Sequence, residues 1–147
     1  MAELPETPAS PHHQFALRVY YEDTDAGGIV YYANYLRYAE RARSELLREL
    51  GVESSRLMDE DGVALTVRRC AVDYIKPAVL DDRLVVETKV QKVGGASLEA
   101  LQTVRRDDED LVRIDLKLGC MSLNGGAARM PAGLRDTLSA YINSDRI

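Results

Sequence analysis

One stretch of this chain repeats with a helical period, and nearly everything else that repeats does so with a period of two. Between Tyr31 and Leu50, the residues Tyr31, Tyr35, Tyr38, Ala42, Leu46 and Leu50 recur at spacings of three and four, which lines one face of a helix. Arg37, Arg41, Ser44, Glu45 and Arg48 take the other side, and Gly51 stands where a left-handed residue ends a helix. At ~1.5 Å per residue such a rod spans roughly 30 Å, the width of a small domain. The remaining elements must wrap around it.

Those elements read as strands. Phe15–Glu22 alternates Phe15, Leu17, Val19 and Tyr21 against Arg18 and Tyr20, and Ala64–Ile75 runs up to Lys76-Pro77. Leu84–Val93 places Leu84, Val86, Thr88 and Val90 on one face, with Glu87, Lys89 and Gln91 on the other. Gly94-Gly95 turns the chain into Ser97–Arg106, and Asp107–Asp110 forms a solvated tip leading into Leu111–Leu123. In that last strand Val112, Ile114, Leu116 and Leu118 face inward. One-sided alternation in hairpin-linked strands implies an antiparallel sheet with one buried face. Leu134–Ile142 is either a short terminal helix or an irregular cover. The expected class is α+β: five antiparallel strands in a strongly bent sheet wrapped around one long helix. Periodicity alone also permits other one-helix α+β folds.

Composition narrows the function classes. The chain has 147 residues, the length of a single domain, and a net charge of −5. A general nucleic-acid or anionic-membrane binder is not expected at that charge, so an anionic ligand would need a local group such as Arg68, Arg69, Lys76, Arg105 or Arg129. No apolar run reaches the ~18–20 residues of a membrane span. Residues 1–14, rich in proline and acid, are expected to form a flexible tail holding His12 and His13, without a signal peptide; residues 15–147 form the domain. Cys70 and Cys120 lack metal-site spacing and are expected to be buried in strands. The expected location is the cytoplasm.

Chemistry concentrates in Tyr20-Tyr21-Glu22-Asp23-Thr24-Asp25-Ala26-Gly27-Gly28-Ile29-Val30-Tyr31-Tyr32-Ala33-Asn34-Tyr35. Three carboxylates lie at the end of a strand, followed by two glycines and then the long helix. Glycines leave backbone N–H groups uncovered, and the first N–H groups of a helix have no internal partner and lie at its positive end. Such a place can hold a developing oxyanion while a neighbouring carboxylate attacks or activates water, the two parts of an acyl transfer. The same residues also suit plainer roles. Acids before a helix favour its dipole, Asn34 could be the N-cap, Asp23 could accept backbone N–H bonds in a turn, and a hard cation would want more oxygen ligands than this loop has.

The segment from Arg18 to Leu36, running on through Glu40-Arg41-Ala42-Arg43, resembles the acyl-CoA thioesterases of the hotdog superfamily. It is most similar to the 4-hydroxybenzoyl-CoA thioesterase class, and within it to the branch associated with the bacterial Tol–Pal envelope system. Val72-Asp73-Tyr74-Ile75-Lys76-Pro77-Ala78 and the Gly94-Gly95-Ala96-Ser97 turn share the likeness, which covers about Ala16 to Asn124. The resemblance implies a hotdog fold and hydrolysis of an acyl-CoA thioester carrying a short-chain or aromatic acyl group. It places Asp25 on the catalytic carboxylate, as nucleophile or general base, and the Tyr32 N–H where the thioester carbonyl is polarised. Gly27 and Gly28 would shape the turn, and Ser97 would help hold coenzyme A. Tyr74, Lys76 and Arg105 are candidates for the pocket rim on charge and position.

One departure stands out. The Tol–Pal branch commonly carries a histidine where this chain has Tyr32, so Asp25 is expected to act without an imidazole. That lack also counts against a hotdog dehydratase, which needs a histidine acid-base group. The resemblance further implies a homo-oligomer, a dimer or dimer of dimers with the acyl group at the dimer seam. It implies no cofactor beyond the coenzyme A of the substrate, and an acyl-carrier protein is a conceivable partner. A non-catalytic module that binds acyl-CoA or acyl-carrier protein is the alternative.

Overall fold

The computed structural model of the protein describes residues 12–144. Along them run β1 (His13–Arg18), α1 (Asn34–Glu49), α2 (Ser54–Arg56), β2 (Val63–Tyr74), β3 (Arg83–Val93), β4 (Ser97–Arg106), β5 (Glu109–Ser122) and α3 (Ala132–Ser144). The strands form one sheet in the order β1-β3-β4-β5-β2, with every neighbouring pair antiparallel. Register shifts between Val67 and Arg69, Val90 and Lys92, and Val104 and Arg105 add bulges, which bend and twist the strands that carry them. The fold is the α+β hotdog arrangement expected from the sequence. The segment left open between a helix and a cover is the helix α3.

The helical stripe packs as its spacing requires. Tyr35, Tyr38, Ala39 and Ala42 are buried against Leu84, Val86, Val104, Val112 and Ile114. Leu46 belongs to a second cluster with Leu57, Val63, Leu98, Leu118, Leu134 and Leu138, where α3 closes the other end of the sheet. The inward faces of β3 and β5 are those read from the alternation.

One buried polar group ties the layers together. Gln102 on β4 is 0% exposed. Its Nε2 donates to the Ala39 carbonyl at 2.9 Å and to Thr88 Oγ1 at 3.0 Å, and its Oε1 accepts from Arg43 Nη1 at 2.9 Å. Burial lowers the pKa of the Arg43 guanidinium. A buried group that loses its hydrogen-bond partner bears its desolvation cost uncompensated. Gln102→Ala is therefore expected to destabilise the fold by about 1–3 kcal/mol. The urea midpoint at unchanged slope is the check, and an unchanged midpoint would contradict this reading.

Several boundaries differ from expectation. Tyr31 is 46% exposed and precedes α1, so the stripe begins at Tyr35. β1 starts at His13, pairing His13 with Thr88 and Gln14 with Glu87, and the expected tail thus ends before these residues. Residues 1–11 of that tail lie outside the described residues. His12 Nδ1 lies 2.9 Å from Glu87 Oε1, and His13 Nε2 lies 3.3 Å from Glu49 Oε2. The first strand also stops early, because Tyr21–Asp23 winds into a 3-10 turn. Cys120 is buried, but Cys70 is exposed because β2 is an edge strand.

Candidate active site

The acidic segment folds into two linked turns. After the 3-10 turn, the Asp25 N–H donates to the Ile29 carbonyl at 2.9 Å, and Gly28 N–H donates back to the Asp25 carbonyl at 3.0 Å. Gly28 has φ +82°, a conformation that favours glycine. Asp25 Oδ1 accepts from the Gly27 N–H at 2.8 Å, and a Cβ added at Gly27 would lie 3.2 Å from that same oxygen. A bare backbone at Gly27 is thus what lets the carboxylate fold over its own turn. Asp25 Oδ2 has no partner among the described residues, and Asp25 is exposed.

Ile29 and Val30 then bridge to the segment before β3, with Val30 N–H donating to the Ala78 carbonyl at 2.9 Å. The chain turns again ahead of α1. Tyr31 N–H donates to the Asp23 carbonyl and Asn34 N–H to the Tyr31 carbonyl, each at 2.9 Å. Between them, the Tyr32 N–H has no acceptor among the described residues. An uncommitted amide one turn ahead of a helix can donate to an incoming oxygen.

Beside this amide opens a cleft of about 280 Å³ lined by Ile29, Val30, Tyr32, Tyr35, Tyr74, Ile75, Lys76 and Pro77. Its walls are mostly apolar and aromatic. The Tyr74 ring packs edge-on to Tyr32 and Tyr35, with centroids 6.1 and 5.9 Å away. Tyr74 Oη donates to the Tyr32 carbonyl at 3.0 Å, which fixes the peptide following Tyr32, and Tyr35 Oη accepts from the Ala78 N–H at 3.0 Å. Burial raises the pKa of both Tyr35 and Tyr74. These phenols are neutral donors at neutral pH, so the wall supplies no base. Lys76 adds no free charge, because its Nζ donates to Glu109 Oε2 at 2.6 Å.

The structure therefore brings Tyr32, Tyr74 and Lys76 to one cleft. Asp25, Gly27 and Gly28 do not line it, although the Asp25 backbone is hydrogen-bonded to Ile29 of its wall. Arg105 is not at the rim. Its Nε lies 2.9 Å from Asp110 Oδ1 and its Nη2 donates to the Asp108 carbonyl, folding it onto the β4–β5 hairpin whose tip was expected to be merely solvated. Ser97 starts the far end of β4, paired with Gly119. There a second cleft of about 260 Å³ is lined by Thr66, Arg68, Ala96, Gly119, Cys120, Met121, Gly126 and Ala127. Arg68, Arg69 and Arg129 have no ion-pair partner among the described residues.

Residue-type reasoning missed parts of the site. Tyr35, assigned to packing, also lines the cleft, and Ile75 and Pro77 form its wall because Pro77 breaks the strand beside it. Asn34 is not the N-cap. That position is Ala33, and Asn34 Nδ2 instead donates to the Asp23 carbonyl at 2.8 Å. Asp23 is a turn carboxylate as expected, its Oδ2 accepting from the Tyr20 N–H at 2.8 Å. The histidines stay remote. Glu49, which His13 approaches, ends the helix that Tyr32 precedes, about 24 Å away at ~1.5 Å per residue. No group of three or more His, Cys, Asp or Glu that could hold a metal occurs among the described residues.

Comparison with known proteins gives a consistent picture. A family model described as "Thioesterase superfamily" matches residues 27–113. The "Acyl-CoA thioesterase YbgC" of Haemophilus influenzae is 46% identical over 109 residues, covering 74% of this chain and 80% of that protein. The "1,4-dihydroxy-2-naphthoyl-CoA hydrolase" of Thermosynechococcus vestitus is 27% identical over 136 residues, covering 92% of this chain and 91% of that one. Among solved structures, a probable thioesterase from Bartonella henselae superposes with a TM-score of 0.79 at 32% identity, covering 82% of this chain and 99% of that one.

Proposed function

The chain belongs to the thioesterase superfamily, and from that premise we propose that it hydrolyses an acyl-CoA thioester to the free acid and coenzyme A. The observation that carries this reading is the unengaged Tyr32 N–H of an apolar cleft, seven residues after a carboxylate whose second oxygen is free and whose backbone is hydrogen-bonded to Ile29 of the cleft wall. The relatives named above, acting on acyl-CoA thioesters, support the substrate class.

In the proposed reaction the Tyr32 N–H donates to the thioester oxygen, and the donation strengthens as that oxygen gains charge. Asp25 takes one of two parts. As nucleophile, its free oxygen attacks the carbonyl carbon, the C–S bond breaks, the thiolate leaves, and water hydrolyses the resulting anhydride. As general base, it removes a proton from a water that attacks the same carbon, and again the thiolate leaves. The tyrosine-rich wall excludes water from the acyl side. At about 280 Å³ the cleft lies near the small end of ligand pockets, which suits a short-chain or aromatic acyl group.

The site is completed by a second copy. β2 is an unpaired edge of twelve residues with Val67 and Tyr74 about half exposed, and long apolar edges are normally covered. Antiparallel pairing of two such edges about a two-fold axis brings the Thr66 end of one β2 beside the Tyr74 end of the other. Within one chain these ends are about 27 Å apart at ~3.4 Å per residue. The pairing would set the partner's Ser97, Arg68 and Arg129 beside the cleft holding Tyr32, where they can meet the coenzyme A phosphates. It would also cover the exposed Asp25 turn.

Purified protein incubated with acetyl-, butyryl-, hexanoyl-, palmitoyl- and benzoyl-CoA, with released thiol read by a chromogenic disulfide, tests the reading. The expected result is thiol release in proportion to enzyme, with kcat/KM highest among the small or aromatic acyl groups. Saturable binding without thiol release would overturn it in favour of a binding module.

A further inference from the structure

We propose that Asn34 is a positioning residue for thioester cleavage, holding the Asp23 carbonyl so that the turn ahead of α1 presents the Tyr32 N–H outward; this rests on the acyl-CoA thioesterase reading. Two donors converge on that one carbonyl oxygen. Tyr31 N–H reaches it from one side of Tyr32 at 2.9 Å, and Asn34 Nδ2 reaches it from the other at 2.8 Å. The segment between them, Tyr32 and Ala33, is fixed at both ends, while the Tyr32 N–H is left without an acceptor among the described residues.

Asp23 is itself anchored. Its carboxylate accepts from the Tyr20 N–H at 2.8 Å, and burial first, with the Asp23 carboxylate second, raises the pKa of the Tyr38 phenol on α1. The carboxylate holds the 3-10 turn and the carbonyl holds the helix start, so Asp23 joins the segment carrying Asp25 to the segment carrying Tyr32.

The choice of residue departs from what local helix chemistry favours. Asparagine one position earlier would cap α1, a contribution of about 1 kcal/mol. Here the N-cap is Ala33, with no side-chain cap bond, and the asparagine follows it, 9% exposed and reaching back eleven residues. A local rule broken beside a reacting group is the pattern expected where geometry serves function.

Asn34→Asp tests the proposal. The change is nearly isosteric, removes the donor, and puts a negative charge near a helix N-terminus, where the dipole favours it. Asn34→Ala is the second variant, free of the added charge. Both are compared with the unaltered chain for kcat, KM, melting temperature and amide hydrogen exchange. The expected result is a kcat at least 30-fold lower with KM within threefold, and Tyr31 N–H exchange at least tenfold faster. Unchanged kcat in either folded variant, or a loss appearing only in KM, overturns the positioning role and leaves the thioesterase reading intact. An unaltered chain that releases no thiol fails at the first step and overturns the reading and the role together.

Discussion

Asp25→Asn is expected to lower kcat for thiol release by about 10²- to 10⁴-fold, the range that a positioned acid-base or nucleophilic group contributes. The amide keeps the size of the carboxylate and can still accept from the Gly27 N–H, which the carboxylate does at 2.8 Å. The turn should therefore survive, and the melting temperature should stay within about 2 °C, as expected for an exposed, nearly isosteric change. KM should move little, because the Tyr32 amide and the aromatic wall remain. A full-rate variant would place the chemistry on another group. Gly27→Ala is a gentler form of the same test, since its Cβ would press on Asp25 Oδ1 at 3.2 Å. We expect a loss in kcat of about tenfold, one step of ~1.4 kcal/mol in barrier.

The largest effect on stability should come from the floor of the first core cluster. Ile114 is fully buried on β5 among Tyr35, Tyr38, Val104 and Val112. Ile114→Ala removes three carbons from a close-packed interior that relaxes only partly around the gap, a loss of about 2–5 kcal/mol. For a chain of this size, each kcal/mol moves the melting temperature by roughly 2–4 °C. A fall of about 5–15 °C is therefore expected, with a lower urea midpoint at unchanged slope. A change below about 1 kcal/mol would mean that the sheet closes over the cavity far more readily than close packing allows.

Elements governed by their own periodicity were legible before any coordinates. The Tyr35, Tyr38, Ala42, Leu46 stripe and the inward faces of β3 and β5 stand where spacing puts them, because a buried face sets the register directly. Tyr31 continues the same spacing but lies outside the helix. Its N–H is taken by Asp23, a contact from the preceding turn that periodicity does not encode. His13 and Gln14 read as tail because prolines dominate the composition just before them, yet their register on Thr88 and Glu87 is set by a strand about seventy residues away.

The candidate site was legible in part for the same reason. The acid-and-glycine loop and the Tyr32 amide are local, so their residue types announce them. Charge makes Arg105 a candidate for the rim, but charge does not show that Asp110 captures it across the hairpin. Ser97, expected to hold coenzyme A, and Tyr74, expected at the pocket rim, lie at opposite ends of the sheet. Only a second copy across the β2 edge unites them in the proposed account. Residue type makes Asn34 a possible cap, because asparagine near a helix start commonly caps it, whereas its reach to Asp23 is a tertiary contact.

The most direct measurement is a crystal structure of the Asp25→Asn protein holding an unreacted acyl-CoA. The account predicts the thioester oxygen ~2.7–3.1 Å from the Tyr32 nitrogen, and the side chain of residue 25 ~3–3.5 Å from the carbonyl carbon. A thioester oxygen bonded to some other donor, with residue 25 turned away into solvent, would contradict it.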